Sequence, residues 1–105
     1  MQPESAGAAD EHLFIVTYDI ADAKRWRGVY RLMHGYGEWL QLSVFQCRLN
    51  RRRRIELQAA LERAIDASKD QAMIIDVGPA DGVAPRVQSL GKSGFEPIER
   101  APIIF

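Results

Sequence analysis

Between Glu38 and Leu49 the alternation of apolar and polar residues changes phase once, and that change limits the folds open to the chain. Leu40, Leu42 and Val44 are apolar at even positions, whereas Phe45, Cys47 and Leu49 are apolar at odd ones. Successive side chains of a strand point to opposite faces, so one unbroken strand cannot turn both sets toward a single core. A break near Ser43 is required, either a bulge or two short strands in a tight hairpin, and two strands is the reading adopted here. Upstream, Leu13-Phe-Ile-Val-Thr-Tyr18 is a β-branched and aromatic run that ends at Asp19 and reads as a central strand. Asp22 can cap a helix in which Trp26, Val29, Tyr30, Met33 and Tyr36 recur at helical spacing, with Gly35 and Gly37 as its stop. Downstream, Asn50 caps a second helix whose buried stripe is Leu57, Leu61, Ala64 and Ile65. Gln71 to Val77 is a further strand, closed by Gly78-Pro79. The order is β-α-β-β-α-β, the ferredoxin-like unit of the α+β class, with both helices on one sheet face.

A chain of 105 residues carries one core and one domain. Residues 1–12 are small and polar and read as a disordered tail, residues 13–83 as the ferredoxin-like domain, and residues 84–105 as a C-terminal strand segment. Within that segment Val87 to Leu90 and Ile103 to Phe105 are too short to stand alone. Each needs a sheet edge, its own or a partner's, so the segment is expected to take part in dimerisation. Apolar runs such as Leu13 to Val16 are far too short to span a bilayer, and the first dozen residues have no signal-peptide pattern. The single cysteine, Cys47, allows no internal disulfide and no Cys-x-x-Cys site. A cytoplasmic protein without a membrane partner is expected.

Formal net charge is zero, but the charges are unevenly placed. From Lys24 to Arg54 nine cations (Lys24, Arg25, Arg27, Arg31, Arg48, Arg51, Arg52, Arg53 and Arg54) face one acid, Glu38, and the remainder of the chain carries the compensating excess of acids. Such asymmetry suits an anionic partner, DNA or RNA first, or else a solvated face balanced within the fold. Lys24, Arg27 and Arg31 share one side of the first helix with His34, have no acid four residues on, and suit phosphate contact. Arg51 to Arg54 open the second helix against its macrodipole, a placement that suits binding of a phosphate backbone.

Asp19 lies where the first strand ends. It can form an Asx turn, or it can hold Mg²⁺, which takes oxygen ligands and needs few carboxylates when phosphates and waters complete its shell. One subunit offers no carboxylate cluster, but two copies of Asp19 across a dimer axis would supply a pair. Tyr18, Tyr36, Trp39 and Phe45 read as core, Cys47 as a packed thiol, and Ser43 as a structural residue or a phosphate contact. His34 has no second histidine in the folded part with which to run a two-histidine ribonuclease mechanism.

Two segments together carry a family resemblance. Val16-Thr17-Tyr18-Asp19-Ile20, followed closely by basic residues, resembles the opening strand of the CRISPR-associated protein 2 family. Gly35-Tyr36-Gly37, followed by Leu40-Gln41-Leu42-Ser43-Val44-Phe45-Gln46-Cys47-Arg48-Leu49, resembles that family's second signature, whose recurrent core is Gln-x-Ser-Val-Phe. The likeness runs from about Leu13 to Gly78. It implies a ferredoxin-like homodimer that sits between dimers of the CRISPR integrase, CRISPR-associated protein 1, during spacer acquisition. It also implies, for some members, a metal-dependent endonuclease acting on RNA or double-stranded DNA. By the same resemblance Asp19 is the catalytic Mg²⁺ ligand, Arg25 and Arg27 match basic residues early in the first helix, and Phe45 matches the phenylalanine of the third strand. Trp39 stands where several relatives carry a basic residue, a departure that bears on substrate preference. Two functions stay open at this point: a nuclease with Mg²⁺ at Asp19, and a non-catalytic bridge that only binds DNA.

Overall fold

The structure is a computed structural model that describes residues 10–91. Its elements are β1 (His12–Asp19), α1 (Ala23–Met33), β2 (Glu38–Gln41), β3 (Val44–Leu49), α2 (Arg51–Ala64) and β4 (Gln71–Pro79). The strands form one sheet in the order β2-β3-β1-β4, antiparallel throughout, which is the ferredoxin-like arrangement expected from the element order. Both caps form as anticipated: Asp22 accepts the Arg25 backbone N–H at 2.8 Å, and Asn50 accepts that of Arg53 at 2.8 Å. Each satisfies one donor that the first helical turn would otherwise leave unpaired.

The core lies between the helices and one sheet face. Phe14, Val16 and Tyr18 of β1 and Phe45, Cys47 and Leu49 of β3 meet Trp26, Val29 and Met33 of α1 and Leu57 and Leu61 of α2. The alternate residues of the strands point to the other face, which carries no helix. There Met73, Ile75 and Val77 of β4 stay 47%, 44% and 56% exposed. Arg48 reaches across this face and donates to the Ala80 carbonyl at 3.0 Å and to the Val83 carbonyl. Its pairing with Leu13 across β1 and β3 places that clamp over Leu13, which is buried.

The phase change near Ser43 is resolved by both devices at once. β2 and β3 form a hairpin whose turn is Leu42-Ser43, and the ladder slips between Trp39 and Gln41, leaving Leu40 as the extra residue. Trp39, not Leu40, therefore packs against the core. Leu40, Leu42 and Val44 do not form a core face, because a bulge and a turn interrupt their parity.

Two other expectations, the reach of the tail and the place of Tyr36, are corrected. The N-terminal tail does not reach residue 12: His12 opens β1, paired with Leu49 on one side and Pro79 on the other. Residues 1–9 lie outside the described residues. Val87 to Leu90 are exposed, form no strand within the single chain, and line one shallow depression with Leu40, Gln41 and Val44. Ile103 to Phe105 lie outside the described residues, as does most of the C-terminal segment. Tyr36 falls beyond α1 rather than in it, packed against the core from the turn that follows. Among the described residues no helix is long and apolar enough to cross a membrane.

Candidate functional site

The C-terminal end of β1 collects the chemistry. Asp19 pairs in register with Gln71 of β4. On its other side the β1–β3 ladder ends at Thr17 and Val44 and is continued by the Tyr18 N–H, which donates to the Ser43 carbonyl at 3.1 Å. Asp19 and Gln71 thus stand side by side at the end of the sheet. Alternation along β1 sets Asp19 on the helix-free face, with Ile15 and Thr17.

Three aspartates surround the β1–α1 loop, and they are used differently. Asp22 caps α1. Asp70 has no exposed side-chain surface and accepts four hydrogen bonds. The Arg25 guanidinium donates two of them, at 2.8 and 3.0 Å, and the backbone N–H groups of Ala21 and Asp66 donate the others, at 2.9 and 2.8 Å. Asp19 is exposed, and its carboxylate takes part in no hydrogen bond or ion pair among the described residues. The Asx turn weighed from sequence does not form, since no backbone N–H reaches it. Asp22 and Asp70 hold the loop instead, and Asp19 is left available.

The Arg25 pair has a consequence for acid stability. Arg25 first, then the two backbone donors, hold Asp70 well below the usual carboxylate range, against the opposing effect of its burial. A carboxylate with a depressed folded pKa contributes stability that is present above its unfolded value and is lost as pH falls through the folded one. Asp70→Asn should therefore melt several degrees below wild type at neutral pH, with the gap closing only in strongly acidic solution. Thermal melts across that range check it, and equal melting temperatures at neutral pH would show that the pair contributes nothing.

The cations expected to bind nucleic acid are divided by the fold. Lys24, Arg27 and Arg31 are exposed on α1. Arg25 is committed to Asp70. Arg53 donates to the Gly35 carbonyl at 2.7 Å and lies 4.3 Å from the Tyr36 ring centre, so it ties the start of α2 to the turn after α1. Arg54 bonds Gln58 on its own helix at 2.7 Å. Arg51 is exposed, and Arg52 is 85% exposed and loosely paired with Glu56 at 3.5 Å. The tie through Arg53 brings Arg51 and Arg52 to the end of α1 that carries Arg31 and His34.

The Arg51 to Arg54 run thus separates by its contacts within the fold. Arg51→Gln with Arg52→Gln should weaken nucleic-acid binding without sequence preference and flatten the log–log salt dependence by roughly 1.5. Arg53→Gln should instead lower stability by about 1 kcal/mol, through the lost carbonyl bond and ring contact. Binding titrations at several salt concentrations, beside denaturant melts, distinguish the two.

Other residues singled out from sequence prove structural. The Ser43 hydroxyl accepts the Trp26 indole N–H at 2.7 Å, which resolves it as a brace for the hairpin turn. Cys47 is buried, and burial pushes its thiol up to about 11, away from nucleophilic use. His34 caps α1 and sits edge-on to Tyr30 and Phe45, where burial lowers its pKa. Asp70 escaped the sequence reading, because nothing near it signals a partner 45 residues away. Leu42 is an unusual turn residue, since an apolar side chain stands where a two-residue turn ordinarily places Gly, Asn or Asp.

Mg²⁺ is compatible with this end of the sheet in a limited way. No group of three or more His, Cys, Asp or Glu able to hold a metal ion occurs among the described residues, so one chain offers Asp19 alone. An exposed, uncommitted carboxylate fits a cation that keeps most of its waters and takes its remaining ligands from phosphate and a second carboxylate.

Comparison with known proteins agrees with this architecture. The family described as "CRISPR associated protein Cas2" matches residues 12–81. The "CRISPR-associated endoribonuclease Cas2" of Geobacter sulfurreducens is 51% identical over 94 residues, which cover 90% of this chain and 98% of that protein. The "CRISPR-associated endoribonuclease Cas2 1" of Rhodospirillum rubrum is 53% identical over 94 residues, covering 90% and 91% respectively. The crystal structure of Streptococcus pyogenes Cas2 at pH 6.5 superimposes with a TM-score of 0.60 at 28% identity, covering 75% of this chain and 99% of that one.

Proposed function

The chain belongs to the CRISPR-associated protein Cas2 family, and on that premise we propose that it is a metal-dependent endonuclease, with RNA as its first substrate, that acts as a homodimer in spacer acquisition. The observation that carries this reading is the state of Asp19. It is the one aspartate at the β1–α1 junction that the fold leaves uncommitted, and it sits at the open end of a sheet in a chain with a strongly basic stretch. Asp19 of each copy would hold Mg²⁺, which when bound lowers the pKa of a water and offsets charge on the phosphoryl group. Lys24, Arg27, Arg31, Arg51 and Arg52 would hold flanking phosphates and fix the strand's path.

The helix-free face supports the homodimer. Met73, Ile75 and Val77 expose apolar surface there, and such a patch marks an interaction surface. A second copy related by a two-fold axis would cover it with the same patch, and Asp19 lies on that face at the sheet's end. Pairing of this kind would bring two carboxylates toward one another, which a single chain cannot do.

A second reading has an observation of its own. The exposed cations lie on the helix layer, whereas Asp19 lies on the opposite face. A dimer could therefore hold a DNA duplex along its helices and bridge two dimers of the CRISPR integrase with no use of Asp19. End-labelled RNA incubated with the purified chain separates the two readings. Cleavage with Mg²⁺ that stops on chelation and returns with excess metal supports the nuclease. Absence of cleavage on RNA and duplex DNA alike, together with co-purification of the integrase, supports the bridge.

A further inference from the structure

The Asp19 carboxylate takes part in no hydrogen bond among the described residues, so its placement depends on the backbone that carries it. A metal ligand is ordinarily oriented by hydrogen bonds to its own side chain, and here that support has to come through the main chain. Asp70 supplies it on both sides. It immediately precedes Gln71, the residue that pairs with Asp19 across β1 and β4. It also accepts the backbone N–H of Ala21, two residues beyond Asp19, at 2.9 Å. The short stretch from Ile20 to Asp22 is thereby pinned at its middle by Asp70 and at its end by the Asp22 cap. Of the two Asp70 oxygens, Oδ1 accepts from Ala21 and Arg25, and Oδ2 accepts from Arg25 and Asp66. Each oxygen thus has two donors and the side chain has no exposed surface, so Asp70 has nothing left to offer a cation.

We infer that Asp70 is a positioning residue for Asp19: it holds the backbone on both sides of that carboxylate and so sets how firmly a divalent cation is gripped there. The inference rests on the nuclease reading above. A site with one carboxylate per chain makes few contacts with its cation. Freedom left in the carrying loop would have to be lost on binding, at the expense of affinity. Arg25 belongs to the same assembly through its two-pronged pair with Asp70, which a lysine cannot reproduce.

Mn²⁺ titrations followed by the electron paramagnetic resonance signal of the free ion test this without recourse to cleavage. The binding that Asp19→Asn abolishes is the quantity compared. Asp70→Asn should weaken it about tenfold, the lower end of outer-shell effects on metal affinity, and Arg25→Lys by a smaller factor. The Mg²⁺ concentration for half-maximal RNA cleavage should rise in step, while RNA affinity in chelator stays unchanged. Both variants lose stability, so titrations are run well below the lowest melting temperature, with Val29→Ala as the control. That substitution removes buried methyl groups from the helix that carries Arg25 and touches none of the Asp70 contacts. Its Mn²⁺ affinity should match wild type. Equal affinity in wild type and Asp70→Asn overturns the inference. So does an equal loss in Val29→Ala, since Asp70 would then act through stability alone. Should Asp70→Asn not fold, Arg25→Lys decides on the same terms. If wild type binds Mn²⁺ through Asp19 but cuts no RNA, the nuclease reading falls, and the affinities still decide for or against Asp70. If Asp19→Asn binds Mn²⁺ as wild type does, both are overturned.

Discussion

Asp19→Asn should lower kcat/KM for Mg²⁺-dependent RNA cleavage at least about a hundredfold, since loss of a direct ligand exceeds the effect typical of outer-shell changes. The substitution keeps the side chain's shape and removes the charge a hard cation requires. Its structural effect should be small. Asp19 is exposed and accepts no hydrogen bond among the described residues, so the melting temperature should stay within about 2 °C of wild type. RNA affinity measured in chelator should also hold, because the exposed cations proposed to contact phosphate lie on the helix layer. The combination of lost cleavage with retained folding and binding is what a metal ligand predicts. Undiminished cleavage by the Asn variant would remove Asp19 from the mechanism. If the wild-type chain cleaves nothing and the Asn variant still supports spacer integration beside the integrase, the bridging role stands.

Gly37→Ala should be the most damaging of the small substitutions for stability. A Cβ at position 37 would lie 2.3 Å from the Gln46 carbonyl oxygen and 2.4 Å from the Cys47 sulfur. Neither neighbour can yield cheaply. Gln46 is paired with Glu38 and Ile15 on its two sides, and Cys47 is buried in the core. Overpacking of this kind costs about 1–3 kcal/mol, and contact with a backbone carbonyl of an interior strand places this site at the upper end. A fall in melting temperature of more than about 10 °C is expected for a domain of this length. Gly35→Ala is the control, since its Cβ would come only within 3.4 Å of the Leu32 carbonyl and should be nearly neutral by comparison. If the two variants melt together, the tight approach at Gly37 is relieved by movement of the β2–β3 hairpin.

The element order was legible from the sequence because its signals are local. The β-branched run into Asp19, the caps Asp22 and Asn50, the stripes of α1 and α2 and the phase change near Ser43 all act within a turn or between adjacent residues. Asp19 could be named as a candidate on the same terms, from its place at a strand end and from the motif around it. What distinguishes it from its neighbours was decided by the tertiary structure alone. Arg25 and Asp70 are 45 residues apart and meet because β4 lies beside β1, which pairs Arg25 with Asp70 and leaves Asp19 as the uncommitted carboxylate. Arg53 is engaged within the fold in the same way, because α2 begins against the turn that ends α1. The closeness of Gly37 to β3 depends on strand register. Register is set by the whole sheet at once, whereas a cap or a hydrophobic stripe is complete within a few residues of chain.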